Sequence, residues 1–228
     1  MKPACKRRAF LNRRSEWMTQ PPLFLRRLFP KKVLWRANVN GKRIFLTFDD
    51  GPVPGITPWV IDQLRKYEFR ATFFCVGDNV RKYPKIFLQL KQAGFETAIH
   101  GFHHKPAHRL TGVEFDAELS RSTELNSHAS WYRPPHGILF PWRVSMIGKY
   151  GLNIAMWDVL SQDYDRNLKP DAIIDNVLSH VRPGSLIVFH DSLKAWPNLK
   201  EALPVVLSWL SEKGYQTDML SSLNQNIR

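Results

Sequence analysis

The chain has 228 residues, 43% of them hydrophobic, which is enough to bury a full core and fits one domain of α/β-barrel size. Its formal charge of +13 is concentrated at one end: residues 1–43 hold 13 of the 33 Lys/Arg but one of the 20 acids, Glu16, leaving 20 basic and 19 acidic residues in the rest. The charge therefore belongs to an N-terminal segment and not to the body, and no nucleic-acid partner is expected.

Residues 1–41 read as a basic leader, partly flexible, ahead of a single domain spanning 42–228. The basic start is not followed by a continuous apolar h-region with a small-residue cleavage site, and no run reaches the roughly 18 to 20 apolar residues of a membrane span. A cytoplasmic protein is the resulting expectation. Met18 leaves open whether the first 17 residues belong to the native chain. Pro22 to Phe29 mixes apolar and basic residues in the manner of an interfacial anchor, with Pro30 limiting any helix to about two turns. Weak peripheral contact with anionic membrane lipid is a further expectation from that segment. Cys5 and Cys75 make no disulfide framework, and Cys75 lies in an apolar run as a buried thiol would.

Beyond the leader, short apolar runs predict strands at Arg43–Phe48, Ala71–Val76, Glu96–Ile99, Trp131–Arg133, Asn153–Trp157, Ser185–Phe189 and Tyr215–Leu220. Amphipathic stretches between them predict helices at Pro58–Tyr67, Val80–Ala93, Gly112–Leu125, Phe140–Tyr150, Pro170–Val181 and Lys200–Lys213, with Thr57, Asp78, Gly94 and Gly214 as punctuation. This alternation implies parallel strands joined by crossover helices. The polar residues of interest fall just after strand ends, where the rim of a β/α barrel gathers loops onto one substrate. An open doubly wound sheet would use fewer such ends, so a distorted or incomplete (β/α) barrel is the expected fold.

The first chemical element is Thr47-Phe48-Asp49-Asp50-Gly51-Pro52, a strand ending in adjacent carboxylates. One acid can bind a metal while its neighbour faces the reacting water; alone, the string also reads as an Asp-Gly-Pro surface turn. His100 and His104 follow the next relevant strand at a spacing that puts two imidazoles on one side of a helical turn, and with a carboxylate they make a catalytic zinc set; a His-rich surface loop is the alternative. Arg133, in Trp131-Tyr132-Arg133-Pro134-Pro135, can fix a carboxylate by a two-pronged hydrogen bond, or it can be a solvated residue in a rigid loop. The stretch Asp158 to Tyr164 comes fourth. Fifth, His190 ends a nearly continuous apolar strand, where a carboxylate partner can raise its pKa for work as a general acid; a satisfied structural histidine is the other reading.

In this order and register, the TFDDGP string, the His-x-x-x-His pair, the RPP-x-G turn, Asp163 with its aromatic neighbour and the strand ending in His-Asp resemble the NodB-homology polysaccharide deacetylases, carbohydrate esterase family 4. The resemblance runs from about Lys42 to about Leu220. It implies a hydrolase with a distorted (β/α) barrel that removes acetyl groups from N-acetylated sugars of a carbohydrate substrate. Its cofactor would be a divalent metal ion, zinc first, with cobalt or nickel as alternatives. Carried over residue by residue, it makes Asp50, His100 and His104 the metal ligands, Asp49 the general base oriented by Arg133, and His190 the general acid paired with Asp163.

Four positions depart from the family pattern: Ile99 stands for a common Asn, His136 for Tyr, Leu160 for Asp and Tyr164 for Trp. They leave ligands, base and acid in place but make the choice of glycan unreadable. Hydrolysis of an O-acetyl ester or a small amide on the same scaffold, and a catalytically inactive binding protein, are the rival readings. Trp131, Tyr132, Phe140, Trp142 and Tyr164 are candidate sugar-stacking platforms.

Overall fold

Arg43–Asp49 is the strand around which the sheet is arranged, and it is β2, because a two-residue strand, Val33–Leu34 (β1), precedes it. The computed structural model describes residues 19–30 and 32–223. The questions raised by Cys5 and Met18 lie outside those residues. β2 pairs in parallel with β3 (Ala71–Cys75) on one side and β8 (Leu186–His190) on the other. With β4 (Glu96–Ile99), β5 (Trp131–Tyr132), β6 (Asn153–Ala155) and β7 (Val159–Leu160), the row runs β1-β6-β5-β4-β3-β2-β8-β7, and β9 (Gln216–Thr217) adds to the start of β2. Every neighbouring strand pair is parallel, as crossover connections require. Among the described residues β1 and β7 do not pair, so the sheet curls into the distorted, open (β/α) barrel that the sequence led us to expect.

The near-continuous apolar strands follow from burial on both faces. Ile44, Leu46 and Phe48 of β2 point outward with Phe73 of β3 and Phe189 of β8; Phe48 stacks on both aromatic rings, at 5.0 and 6.0 Å between centroids. The helices α2 (Ile56–Arg65), α4 (Pro84–Gln92), α7 (Pro170–Leu178) and α8 (Trp196–Glu212) cover that face. The alternate residues face the barrel interior, where Phe45, Phe74, Ala98, Trp131, Ala155 and Leu186 close the floor. Above Phe45 on the same face of β2 come Thr47 and then Asp49, so the period of two carries a carboxylate to the rim.

Some local expectations change. The single helix expected over Val80–Ala93 is two, α3 (Gly77–Lys82) and α4, because Pro84 removes a donor and Tyr83 before it adopts φ −126°, ψ 54°. Asp78 lies inside α3 rather than ahead of it. Thr57 does not cap α2, which begins at Ile56 after Gly55; its hydroxyl is used elsewhere. The expected strand at Tyr215–Leu220 shrinks to β9 followed by a 3-10 turn. Helices α5 (Gly112–Leu125) and α6 (Pro141–Lys149) lie where the pattern put them, α5 opening with a reciprocal Thr111–Glu114 capping box.

The described part of the basic segment lies against the sheet. A five-residue helix, α1 (Leu23–Arg27), precedes β1, which pairs with β6, on the leader side of the boundary expected at Lys42. Arg26 bonds the fully buried Asp158 at 2.8 Å and the carbonyl of Pro21 through Nε. Phe29, Trp35 and Trp157 form a run of tilted rings at 5.7 and 6.2 Å. Farther on, Gly184 has φ +81° and the Ala37 carbonyl oxygen lies 1.9 Å from where a Cβ would be, so only glycine fits that crossing. No helix among the described residues is long and apolar enough to cross a membrane.

Candidate active site

At the top of β2 the chain turns immediately. Asp49 is the last strand residue, Asp50 adopts φ 80°, and Gly51 passes over the carboxylate of Asp191, whose oxygen would sit 2.1 Å from a Cβ at that position. Asp191 accepts from the Gly51 amide at 3.1 Å and from the Thr57 hydroxyl at 2.5 Å, while its own amide donates to the Asp49 carbonyl at 3.0 Å. The turn carrying both acids is therefore gripped from below by the residue after His190. Burial, together with the charges of Asp50 and Asp49 and against the Thr57 bond, pushes the Asp191 carboxyl up to about 8.

Residues 100–104 form a bent loop and not the helical turn that the His spacing evoked, with Gly101 at φ +72° and His104 at φ 55°. The imidazoles nevertheless converge. His104 Nε2 lies 3.1 Å and His100 Nε2 3.6 Å from Asp50 Oδ1. One ligand atom from each of the three residues falls within a 4.8 Å set. The tautomer of His100 follows from its partner: Nδ1 donates to the Arg133 carbonyl at 2.8 Å, which leaves the Nε2 lone pair facing Asp50. Burial lowers the His100 pKa to about 4 despite the nearby Asp49, so the ring is a neutral donor at neutral pH. Burial alone would raise Asp50, but the His104 hydrogen bond and the charges of His190, His100 and His104 outweigh it and keep it ionised well below the usual carboxylate range. Two imidazole nitrogens and one carboxylate, available together, fit a divalent transition ion such as zinc.

Arg133 follows β5 and is 1% exposed. Its Nη1 reaches Asp49 Oδ1 at 2.6 Å and Thr47 Oγ1 at 2.9 Å, and its Nε and Nη2 donate to the carbonyls of Ala155 and Met156. The guanidinium also lies 4.0 Å over the Phe74 ring. Asp49 is thus held by a cation that its surroundings have already fixed.

His190 sits beside Asp49 in strand register. Its Nδ1 donates to Asp163 Oδ1 at 2.7 Å and its backbone amide to Asp163 Oδ2 at 2.8 Å, which leaves Nε2 for other partners. Burial lowers the His190 pKa, but Asp163, its hydrogen bond and the charges of Asp50 and Asp49 more than reverse that, to about 9. Asp163 is fully buried, and Asn198 donates to its carbonyl at 3.1 Å.

Asp49, Asp50, His100, His104, Arg133 and His190 all line one cleft of about 860 Å3, with Asp163 directly behind His190. Left-handed backbone at Asp50, His104 and His136 lies on its lining, as strained residues do at functional sites. Of the departures from the family pattern, His136, Leu160 and Tyr164 line the cleft, His136 with its ring 4.5 Å from His104, whereas Ile99 is buried in the core. Trp131 and Tyr132 are buried and unavailable for stacking; Trp142 is exposed against Phe140, and Tyr164 meets His190 edge-on.

Two supports were not singled out from the sequence. Glu118 of α5 accepts from the amides of Phe102 and His103 at 3.0 and 2.8 Å and bonds the His103 ring, tying down the loop between the two imidazoles. A carboxylate on the helix face shared with Phe115 and Leu119 was the available signal. Asp191 was visible beside His190, but its partners Gly51 and Thr57 are 140 and 134 residues away.

Residues 36–153 match the sequence family described as polysaccharide deacetylase. The chain belongs to that family. The chain is 31% identical over 192 residues to the peptidoglycan-N-acetylmuramic acid deacetylase PdaC of Bacillus subtilis, a match covering 82% of this chain and 39% of that protein. It is 31% identical over 162 residues to the chitooligosaccharide deacetylase of Azorhizobium caulinodans, covering 68% and 77% of the two chains. Among solved structures, the Bc1960 peptidoglycan N-acetylglucosamine deacetylase superposes with a TM-score of 0.80 at 26% identity over 88% of this chain and 95% of that one. The chain thus spans well under half the length of PdaC but nearly all of Bc1960.

Proposed function

We propose that the chain hydrolyses the N-acetyl group of an amino sugar within an oligo- or polysaccharide, using Asp49 as base and His190 as acid beside a divalent ion held by Asp50, His100 and His104. The observation that carries this reading is that Asp49 and His190 stand side by side on adjacent strands, each fixed by its own buried partner, and both line the cleft that contains the three-ligand set. A bound divalent cation would polarise the acetyl carbonyl and make water a better nucleophile at neutral pH.

The protein's own groups do the rest. Asp49, pinned through Oδ1 by Arg133, offers its Oδ2 edge as the acceptor for the proton of the attacking water. His190, with Nδ1 committed to Asp163, presents Nε2–H to the nitrogen of the scissile amide. The amine is a poor leaving group until it is protonated, and a histidine kept charged to about pH 9 supplies that proton at neutrality. Acetate and a free amino sugar are the products. The intact base, acid and ligand set speak against an inactive binding protein.

The test is acetate release from a panel of N-acetylated and O-acetylated glycans with added zinc, cobalt or nickel, using Asp49→Asn as the control. Turnover of N-acetylated substrates that is lost in Asp49→Asn is the expected result. Turnover confined to O-acetyl esters, or equal release by the variant, overturns the proposal.

A further inference from the structure

We propose that the N-terminal basic segment is a docking surface for an anionic lipid bilayer, braced against one wall of the catalytic cleft. Three large apolar side chains are exposed there, Leu23 at 67%, Phe24 at 58% and Leu28 at 68%, all within or next to α1. Exposed Arg27 and Lys32 accompany them. Residues 1–43 bring 13 cationic side chains against the single acid Glu16, while the rest of the chain is close to neutral. Apolar groups for the acyl boundary together with a surplus of cations for the headgroups are what an anionic bilayer recognises. Neither element alone anchors a protein; the combination of two weak signals does.

The described part of the segment, from Thr19 on, is packed against the body of the protein. Arg26, whose side chain is 10% exposed, enters a buried cluster around Asp158, which also takes Arg182 at 2.8 Å and the Ser185 hydroxyl at 2.8 Å. Gln162, next to Asp163, donates to the buried Thr19 at 2.6 Å. Trp35 packs on Trp157, and Trp157 lines the cleft. Whatever surface α1 rests on is therefore held at a fixed orientation to the wall formed by Trp157 and Leu160. Nothing here depends on the deacetylase reading, since binding can be scored without turnover.

The experiment is flotation of the full chain with vesicles of phosphatidylcholine alone and of phosphatidylcholine mixed with phosphatidylglycerol. The Leu23→Gln/Leu28→Gln double variant, which keeps every charge, is run alongside, with circular dichroism as the check on folding. The wild-type chain should float with the anionic vesicles only, and less so as salt is raised from about 0.1 to about 0.5 M. The double variant should partition at least roughly tenfold more weakly, because two partly inserted leucines are lost. Equal flotation of the two proteins, or no flotation of either, overturns the proposal. So does a dimer that the double variant abolishes in the absence of vesicle binding, or duplex DNA that strips the protein from vesicles and binds both proteins alike.

Discussion

Arg133 Nη1 stands 2.6 Å from Asp49 Oδ1, and three of the other four donors of that guanidinium are taken by Thr47 and by the carbonyls of Ala155 and Met156. The arginine thus arrives at Asp49 pre-oriented, from a strand on the far side of the barrel interior. A lysine would keep the charge but not the fork. Arg133→Lys is expected to leave a buried carbonyl unpaired and to lower stability by about 1–3 kcal/mol. It should also reduce kcat by about a hundredfold through misplacement of Asp49. Chemical denaturation and single-turnover acetate release read the two effects separately.

Asp163 raises the His190 pKa against the pull of burial, to about 9. If His190 acts as the acid, activity requires its protonated form and declines as pH rises through that value. Removing the carboxylate's charge in Asp163→Asn leaves the lowering effect of burial less opposed. The alkaline limb of the pH–kcat profile should therefore move to lower pH, with reduced kcat at neutrality. An unshifted limb would assign the proton donor elsewhere.

Glu118 touches none of the proposed ligands, yet it fixes the amides of Phe102 and His103 between His100 and His104. Glu118→Gln removes the negative charge from the one oxygen that accepts from both amides and from the oxygen that meets the His103 ring, which weakens all three contacts. The expected result is a loss of roughly 10- to 100-fold in zinc or cobalt affinity, measured by calorimetric titration of the apo protein, with the melting temperature little changed.

Gly51→Ala would drive a methyl group into the Asp191 carboxylate, to within 2.1 Å of Oδ2. The neighbour is locked by Thr57 and by the Gly51 amide itself and cannot give way cheaply. Destabilisation of about 1–3 kcal/mol or more is expected, seen as a lower melting temperature, together with loss of acetate release because the turn carrying Asp49 and Asp50 must move.

The architecture was legible because its signals are local. Parallel strands buried on both faces write apolar runs, crossover helices write amphipathic ones, and the acids and histidines sit at the strand ends or just past them. Two of the four two-residue strands were not legible: Val33–Leu34 and Val159–Leu160 are too short for a period, and their strand character comes from pairing with β6 and β8. The His100–His104 spacing pointed to convergence correctly but to helical geometry wrongly; Gly101 and the left-handed His104 achieve it in a loop. The supports of the site were hidden for another reason. Asp191 with Gly51, and Glu118 with His103, are tertiary contacts made by carboxylates, which usually face solvent, and sequence alone does not mark which of them turn inward.

The pairing of Val33–Leu34 with Ile154–Ala155 also orders events in time. During synthesis β1, the first strand among the described residues, has no sheet partner there until about 120 further residues have been made, so this part of the sheet cannot be completed in the order of translation. The nascent chain must carry β1 unpaired until β6 has been made. Closure of that edge is then a late event in biogenesis, and a ribosome-bound intermediate that stops short of residue 153 would present β5 as an open template for neighbouring chains.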